Sequence, residues 1–107
     1  MPKLGEFELL VILSILRNPR APYANQVRED LEHNAERKVT RGALYRTIDR
    51  LQDKGFVRWE LVPTQVPERG GHPMRRLEVT PAGLASARQQ KLVLDRFFDG
   101  APLGGES

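Results

Sequence analysis

Apolar residues fall along this chain in blocks of different spacing, and each block predicts an element. From Glu6 to Arg17 they crowd most positions, at Phe7, Leu9, Leu10, Val11, Ile12, Leu13, Ile15 and Leu16, with acids in the first turn and a base at the end. That pattern predicts a largely buried helix whose terminal charges suit its dipole. Asn18-Pro19-Arg20-Ala21-Pro22 predicts a turn. Beyond it Ala24, Val27, Leu31 and Ala35 recur three or four apart, so a second, amphipathic helix follows with Arg28, Glu29, Asp30 and Glu32 in solvent. A third periodic stretch, Leu44, Ile48 and Leu51, opens after Thr40, a good N-cap, and closes at Gly55, a good C′ terminator.

From Phe56 the period drops to two. Val57, Trp59 and Leu61 alternate with Arg58, Glu60 and Val62, and further on Leu77 and Val79 alternate with Arg76 and Glu78. Two strands of a hairpin are predicted. Their connector, Pro63 to Pro73, is rich in Pro and Gly and too long for a tight turn, so a mobile loop with a basic tip is expected. Thr80-Pro81 supplies an N-cap and a proline at N1 for a last helix carrying Leu84, Ala87, Leu94, Phe97 and Phe98 towards Gly100. Helix, helix, helix, strand, long loop, strand, helix is the order of a winged helix-turn-helix. The predicted fold is therefore mainly α: a winged helix-turn-helix over residues 1–80, a C-terminal dimerisation helix over 81–99 and a flexible tail over 100–107.

Composition narrows the function. The chain lacks cysteine, which excludes a disulfide framework and a thiolate zinc site and suits a cytoplasmic location. The run Leu9 to Leu16 is interrupted by Ser14 and is far shorter than a bilayer span, so no membrane anchor or signal peptide is read there. Neither a close histidine pair nor a phosphate-binding loop pattern is present, and the expectation is a protein that is not an enzyme and needs no cofactor. Glu29, His33 and Glu36 could share one helix face, but they match no recognised metal-ligand pattern, and a solvated face is the better reading. Charge is segregated: between Arg37 and Arg76 there are ten Lys/Arg against four Asp/Glu, whereas the rest of the chain has seven against ten. A basic middle of this kind is the footprint of a polyanion-binding surface. It would equally serve a winged helix that binds an acidic protein partner and no specific DNA.

Helix-turn-helix geometry lays the N-terminal half of the third helix in the major groove of double-stranded DNA. With Leu44, Ile48 and Leu51 inside, the helical period turns Arg41, Gly42, Tyr45, Arg46 and Asp49 outward, and Thr40 leaves the helix N-terminus available to a phosphate. Arg46 is the candidate base reader, because arginine can grip guanine O6 and N7 with two parallel bonds. Tyr45 would give its hydroxyl to a phosphate and its ring to the sugar edge, or else pack half-buried. Arg50, further along the same helix, and Arg69, His72, Arg75 and Arg76, on or beside the long loop, complete the candidate DNA-binding set as backbone or minor-groove contacts. Leu9, Leu84, Ala87, Leu94, Phe97 and Phe98 carry more apolar surface than a three-helix core needs, and a second copy of the chain is the expected cover.

The stretch Thr40-Arg41-Gly42-Ala43-Leu44-Tyr45, the continuation Arg50-Leu51-Gln52-Asp53-Lys54-Gly55-Phe56-Val57, the Gly70-Gly71-His72-Pro73 loop end and Leu77-Glu78-Val79-Thr80-Pro81-Ala82-Gly83 together resemble the PadR family of bacterial transcriptional regulators, from about Leu4 to about Phe98. The short C-terminal part resembles the smaller PadR subfamily, with one dimerising helix. The resemblance implies a homodimeric repressor with two recognition helices and two wings at an operator and, in many members, a small hydrophobic effector. Two features depart from that pattern. Arg75-Arg76-Leu77 stands where relatives commonly have a basic residue and two tyrosines, and the only tryptophan, Trp59, lies in a strand and not in the last helix.

Overall fold

The computed structural model describes residues 3–63 and 73–104. Three helices, α1 (Glu6–Arg17), α2 (Ala24–Asn34) and α3 (Arg41–Asp53), are followed by an antiparallel hairpin of β1 (Val57–Val62) and β2 (Met74–Val79) and by α4 (Pro81–Gly100). The hairpin pairs Val57 with Val79, Trp59 with Leu77 and Leu61 with Arg75. A short third edge is visible only in three dimensions: Tyr23, just before α2, bridges Arg76, and the Leu77 amide donates to the Pro22 carbonyl at 2.7 Å. The predicted order and the winged-helix fold are thus observed.

One core joins these elements. Val11, Ile12 and Ile15 of α1, Val27 and Leu31 of α2, and Leu44, Ile48 and Leu51 of α3 are all buried, and Phe56, Val57 and Leu77 close it from the hairpin side. The predicted caps are in place. The Thr40 hydroxyl accepts from the Ala43 amide at 3.1 Å, and Gly55 takes φ +80 just past α3, a left-handed conformation that glycine adopts without a Cβ penalty. Thr80 caps α4 by accepting from the Gly83 amide at 3.0 Å and donates its hydroxyl proton to the Gly55 carbonyl at 2.6 Å. Gly83 is required there, because a Cβ at that position would lie 2.2 Å from the Phe56 carbonyl oxygen. The start of α4 is therefore seated directly on the turn that ends α3.

Two expectations are corrected. The first helix is buried on one side only: Leu9 is half-buried, while Leu13 and Leu16 are exposed. Leu61 is exposed despite sharing a face with Val57 and Trp59, because the far end of the hairpin extends past the core. Glu8, one of the two first-turn acids, is buried, where it accepts from the Gly5 amide at 2.8 Å and from Lys54 Nζ at 2.8 and 2.9 Å. Burial pushes its carboxyl up, yet the Lys54 hydrogen bond, the Gly5 amide and the charges of Lys54 and Arg50 outweigh this and hold it below the usual carboxylate value. The pair ties the start of α1 to the end of α3.

Candidate nucleic-acid interface

The cap and the buried face of α3 decide what its other face presents. With Leu44, Thr47, Ile48 and Leu51 inside, Arg41, Gly42 and Arg46 are exposed around the first turns. Thr40 satisfies one amide at this end, and the remaining end amides, with the helix dipole behind them, suit a phosphate. Gly42 is not needed for the protein's own packing, since a Cβ there would come no closer than 3.4 Å to an Arg46 guanidinium nitrogen. Glycine inside a helix costs about 0.5–1 kcal/mol. Its use here leaves the backbone open to close approach by another molecule.

The structure redistributes the basic segment. Six of the ten cations between Arg37 and Arg76 pair with carboxylates of the same chain. Arg37 meets Glu6 at 3.1 Å, Arg50 and Lys54 converge on Glu8, Arg58 meets Glu78 at 3.1 Å, Arg75 meets Asp49 at 3.1 Å, and Arg76 pairs with Glu60. Among the described residues, the cations of this segment without such a partner are Lys38, Arg41 and Arg46, clustered at the start of α3. Arg69 and His72 lie outside the described residues.

Three candidates therefore change character. Arg75 is not a free wing cation. Its side chain is 16% exposed, and its guanidinium stacks 4.2 Å from the Tyr45 ring centroid and 3.9 Å from that of Trp59. Tyr45 in turn is half-buried with a ring face covered, so that face is not open to a sugar edge. Arg50 points back to α1, donating to the Thr47 hydroxyl at 3.2 Å with its Nε 3.7 Å from Glu8. Arg76 remains on the exposed side of the hairpin, beside Glu60. The Tyr45–Arg75–Trp59 stack escaped sequence reading. Its one legible trace was the alternation that puts Trp59 and Arg75 on the same hairpin face.

The apolar candidates also separate. Ala87 is buried in the protomer's own core at 8% exposure, while Leu84, Leu94, Phe97 and Phe98 are exposed. One face of α4 begins buried at Gly83 and Ala87 and continues through Gln90, Leu94 and Phe97, at helical spacings of three and four. From Arg88 onward that helix lies almost wholly in solvent, with Phe97 at 73% and Phe98 at 58% exposure.

An open cleft of about 680 Å³ separates the end of α1 from the hairpin, bounded by Ile15, Leu16, Pro19, Pro22, Trp59 and Leu77 and rimmed by Arg58, Glu60, Arg76 and Glu78. Its mixed, charged rim differs from the enclosed apolar lining typical of small-molecule sites. Among the described residues, no three acidic or histidine side chains converge on a metal site, and His33 Nδ1 lies 3.0 Å from the Glu29 carbonyl oxygen of its own helix. No described helix is long and apolar enough to cross a membrane.

No protein-family profile and no curated protein matches the chain. Solved structures do. A PadR-like transcription factor from Bacteroides fragilis superposes with a TM-score of 0.73 at 21% identity, over 90% of this chain and 86% of that one. A candidate transcriptional regulator from Thermoplasma acidophilum superposes with a TM-score of 0.57 at 15% identity, over 89% of this chain and 94% of that one. At these identities the likeness is one of fold, and it extends through α4 as well as the winged helix.

Proposed function

We propose that the protein is a PadR-like transcriptional regulator that binds double-stranded DNA as a homodimer and represses by occupying its operator. The observation that carries this reading is the cluster of Lys38, Arg41 and Arg46 around the capped, glycine-bearing start of α3, without carboxylate partners among the described residues while six neighbouring cations are neutralised within the chain. Arg46 reads a base edge in the major groove, Arg41 and Lys38 hold phosphates, and the α3 N-terminus takes another phosphate against its free amides. The solved relatives of this fold are described as transcription factors or candidate regulators, which agrees.

The second copy covers the distal half of α4. A two-fold axis through that helix would bring Leu94, Phe97 and Phe98 of both chains together with Leu13 and Leu16 of α1, and would set two recognition helices on half-sites about one helical turn apart. Repression by occupancy needs no surface beyond the one that binds DNA, and it places the protein in the cytoplasm with the chromosome.

Salt dependence tests the reading. The two phosphate-holding cations of each protomer, Lys38 and Arg41, give about four per dimer and a slope of log K against log salt of about −4, or about −5 if Arg69 also reaches a phosphate. Affinity for duplex DNA should then fall roughly 10²- to 10³-fold from 50 to 200 mM salt. Salt-insensitive binding, or no binding at 50 mM, overturns it.

A further inference from the structure

We infer that Arg75 is a positioning residue that fastens the wing to the recognition helix and sets the angle between them without itself contacting DNA. The inference rests on the DNA-binding reading for its consequence, but the fastening stands on geometry alone. Arg75 sits on β2, Trp59 on β1, and Tyr45 and Asp49 one turn apart on α3. Its guanidinium lies between the Trp59 and Tyr45 rings, at 3.9 and 4.2 Å from their centroids, and donates to Asp49 Oδ1 at 3.1 Å. Among the described residues, no other ion pair joins the hairpin to α3. At 16% exposure the side chain is shielded from a passing phosphate, whereas Arg41 and Arg46 are open.

The chemistry requires arginine. A planar, weakly hydrated guanidinium can stack on aromatic faces and still direct an edge N–H to a carboxylate. A lysine ammonium is a strongly hydrated point charge that cannot do both. A wing held this way is oriented before DNA arrives, so binding does not have to order it. If loss of the stack leaves both wings of the dimer at the correct angle together about one tenth of the time, apparent affinity falls about tenfold while the number of phosphates neutralised stays the same.

The test uses Arg75→Lys and Arg75→Met, with circular dichroism as the check on folding. Trp59 is the sole tryptophan and reports on the stack without DNA, through acrylamide quenching of its fluorescence. Both variants should quench faster than the unsubstituted protein, bind a selected duplex about tenfold more weakly, and keep its salt slope. A phosphate ligand would behave differently: Arg75→Lys would retain affinity and a protected Trp59, and Arg75→Met would lose about one unit of slope per site, which would overturn the inference. If the unsubstituted protein fails to bind duplex DNA, the functional reading falls and quenching alone decides the fastening, with unchanged quenching in both variants refuting it. Should either Arg75 variant unfold, Asp49→Ala decides at an exposed position by removing the acceptor of the Arg75 N–H, where faster quenching supports the fastening and unchanged quenching overturns it.

Discussion

Leu94→Asp puts a carboxylate on the face of α4 that runs from the buried Gly83 and Ala87 into solvent, and it should dissociate the dimer while leaving each protomer folded. Leu94 is 42% exposed in the protomer. Full burial of a leucine side chain contributes about 1.5–3 kcal/mol, so covering this remaining share contributes roughly 1 kcal/mol. An aspartate forced into the same seam without a cation loses that term and adds an effective desolvation cost of several kcal/mol. A two-fold interface counts the change twice, and even with partial relaxation about 4 kcal/mol is lost, which is about a 10³-fold rise in the dimer Kd. Within the protomer the substitution costs only the roughly 0.5 kcal/mol difference in helix propensity. Sedimentation velocity at micromolar concentration should show a dimer for the unsubstituted chain and a monomer for Leu94→Asp, with nearly the same melting temperature. Operator affinity should drop with it, since a monomer engages one half-site only. A monomeric unsubstituted protein, or a Leu94→Asp protein that stays dimeric with full operator affinity, would refute the assignment of this face.

Arg46→Ala should cost about 1–3 kcal/mol on the operator and relax its sequence preference, whereas Arg69→Ala should weaken all duplexes alike; equal losses on operator and random DNA for Arg46→Ala, read by fluorescence anisotropy, would sink the base-reading role. Gly83→Ala places a methyl group 2.2 Å from the Phe56 carbonyl oxygen and should destabilise by about 1–3 kcal/mol, checked as a melting temperature several degrees lower; an unchanged melting temperature would mean that α4 is not seated as described. The Glu8 carboxyl is held below its ordinary value of 4.5 in the folded protein, so its contribution is fully present above about pH 4.5 and is lost as pH falls through the folded value. Asp30, lowered chiefly by the Ser14 hydroxyl hydrogen bond, acts in the same direction. Urea unfolding from pH 7 to pH 3 should therefore show a shallower acid loss for Glu8→Gln, which should also be about 1–3 kcal/mol less stable at pH 7; an acid limb identical to that of the unsubstituted protein contradicts the Glu8–Lys54 account.

Much of the fold was legible because its signals are local. Thr40 and Gly55 bracket α3, Thr80-Pro81 opens α4, and the switch from helical to twofold period at Phe56 marks the hairpin, each from residues adjacent in the chain. What sequence could not carry is pairing across long separations. Arg75 and Asp49 are 26 residues apart and Lys54 and Glu8 are 46 apart, so a cation counted as available to DNA and one held inside the domain look alike in a charge count. The same holds for α4. Ala87 and Leu94 lie on one helical face, and only the position of the domain core makes the first a packing residue and leaves the second in solvent.

Selection of bound duplexes from a random double-stranded library at about 100 mM salt tests the central claim most directly. Enrichment of a motif with two-fold symmetry, its half-sites centred about 10 base pairs apart and its preference at one guanine in each half relaxed by Arg46→Ala, is the predicted result. A bound pool indistinguishable from the input library, with Arg46→Ala and the unsubstituted protein behaving alike, would contradict the account.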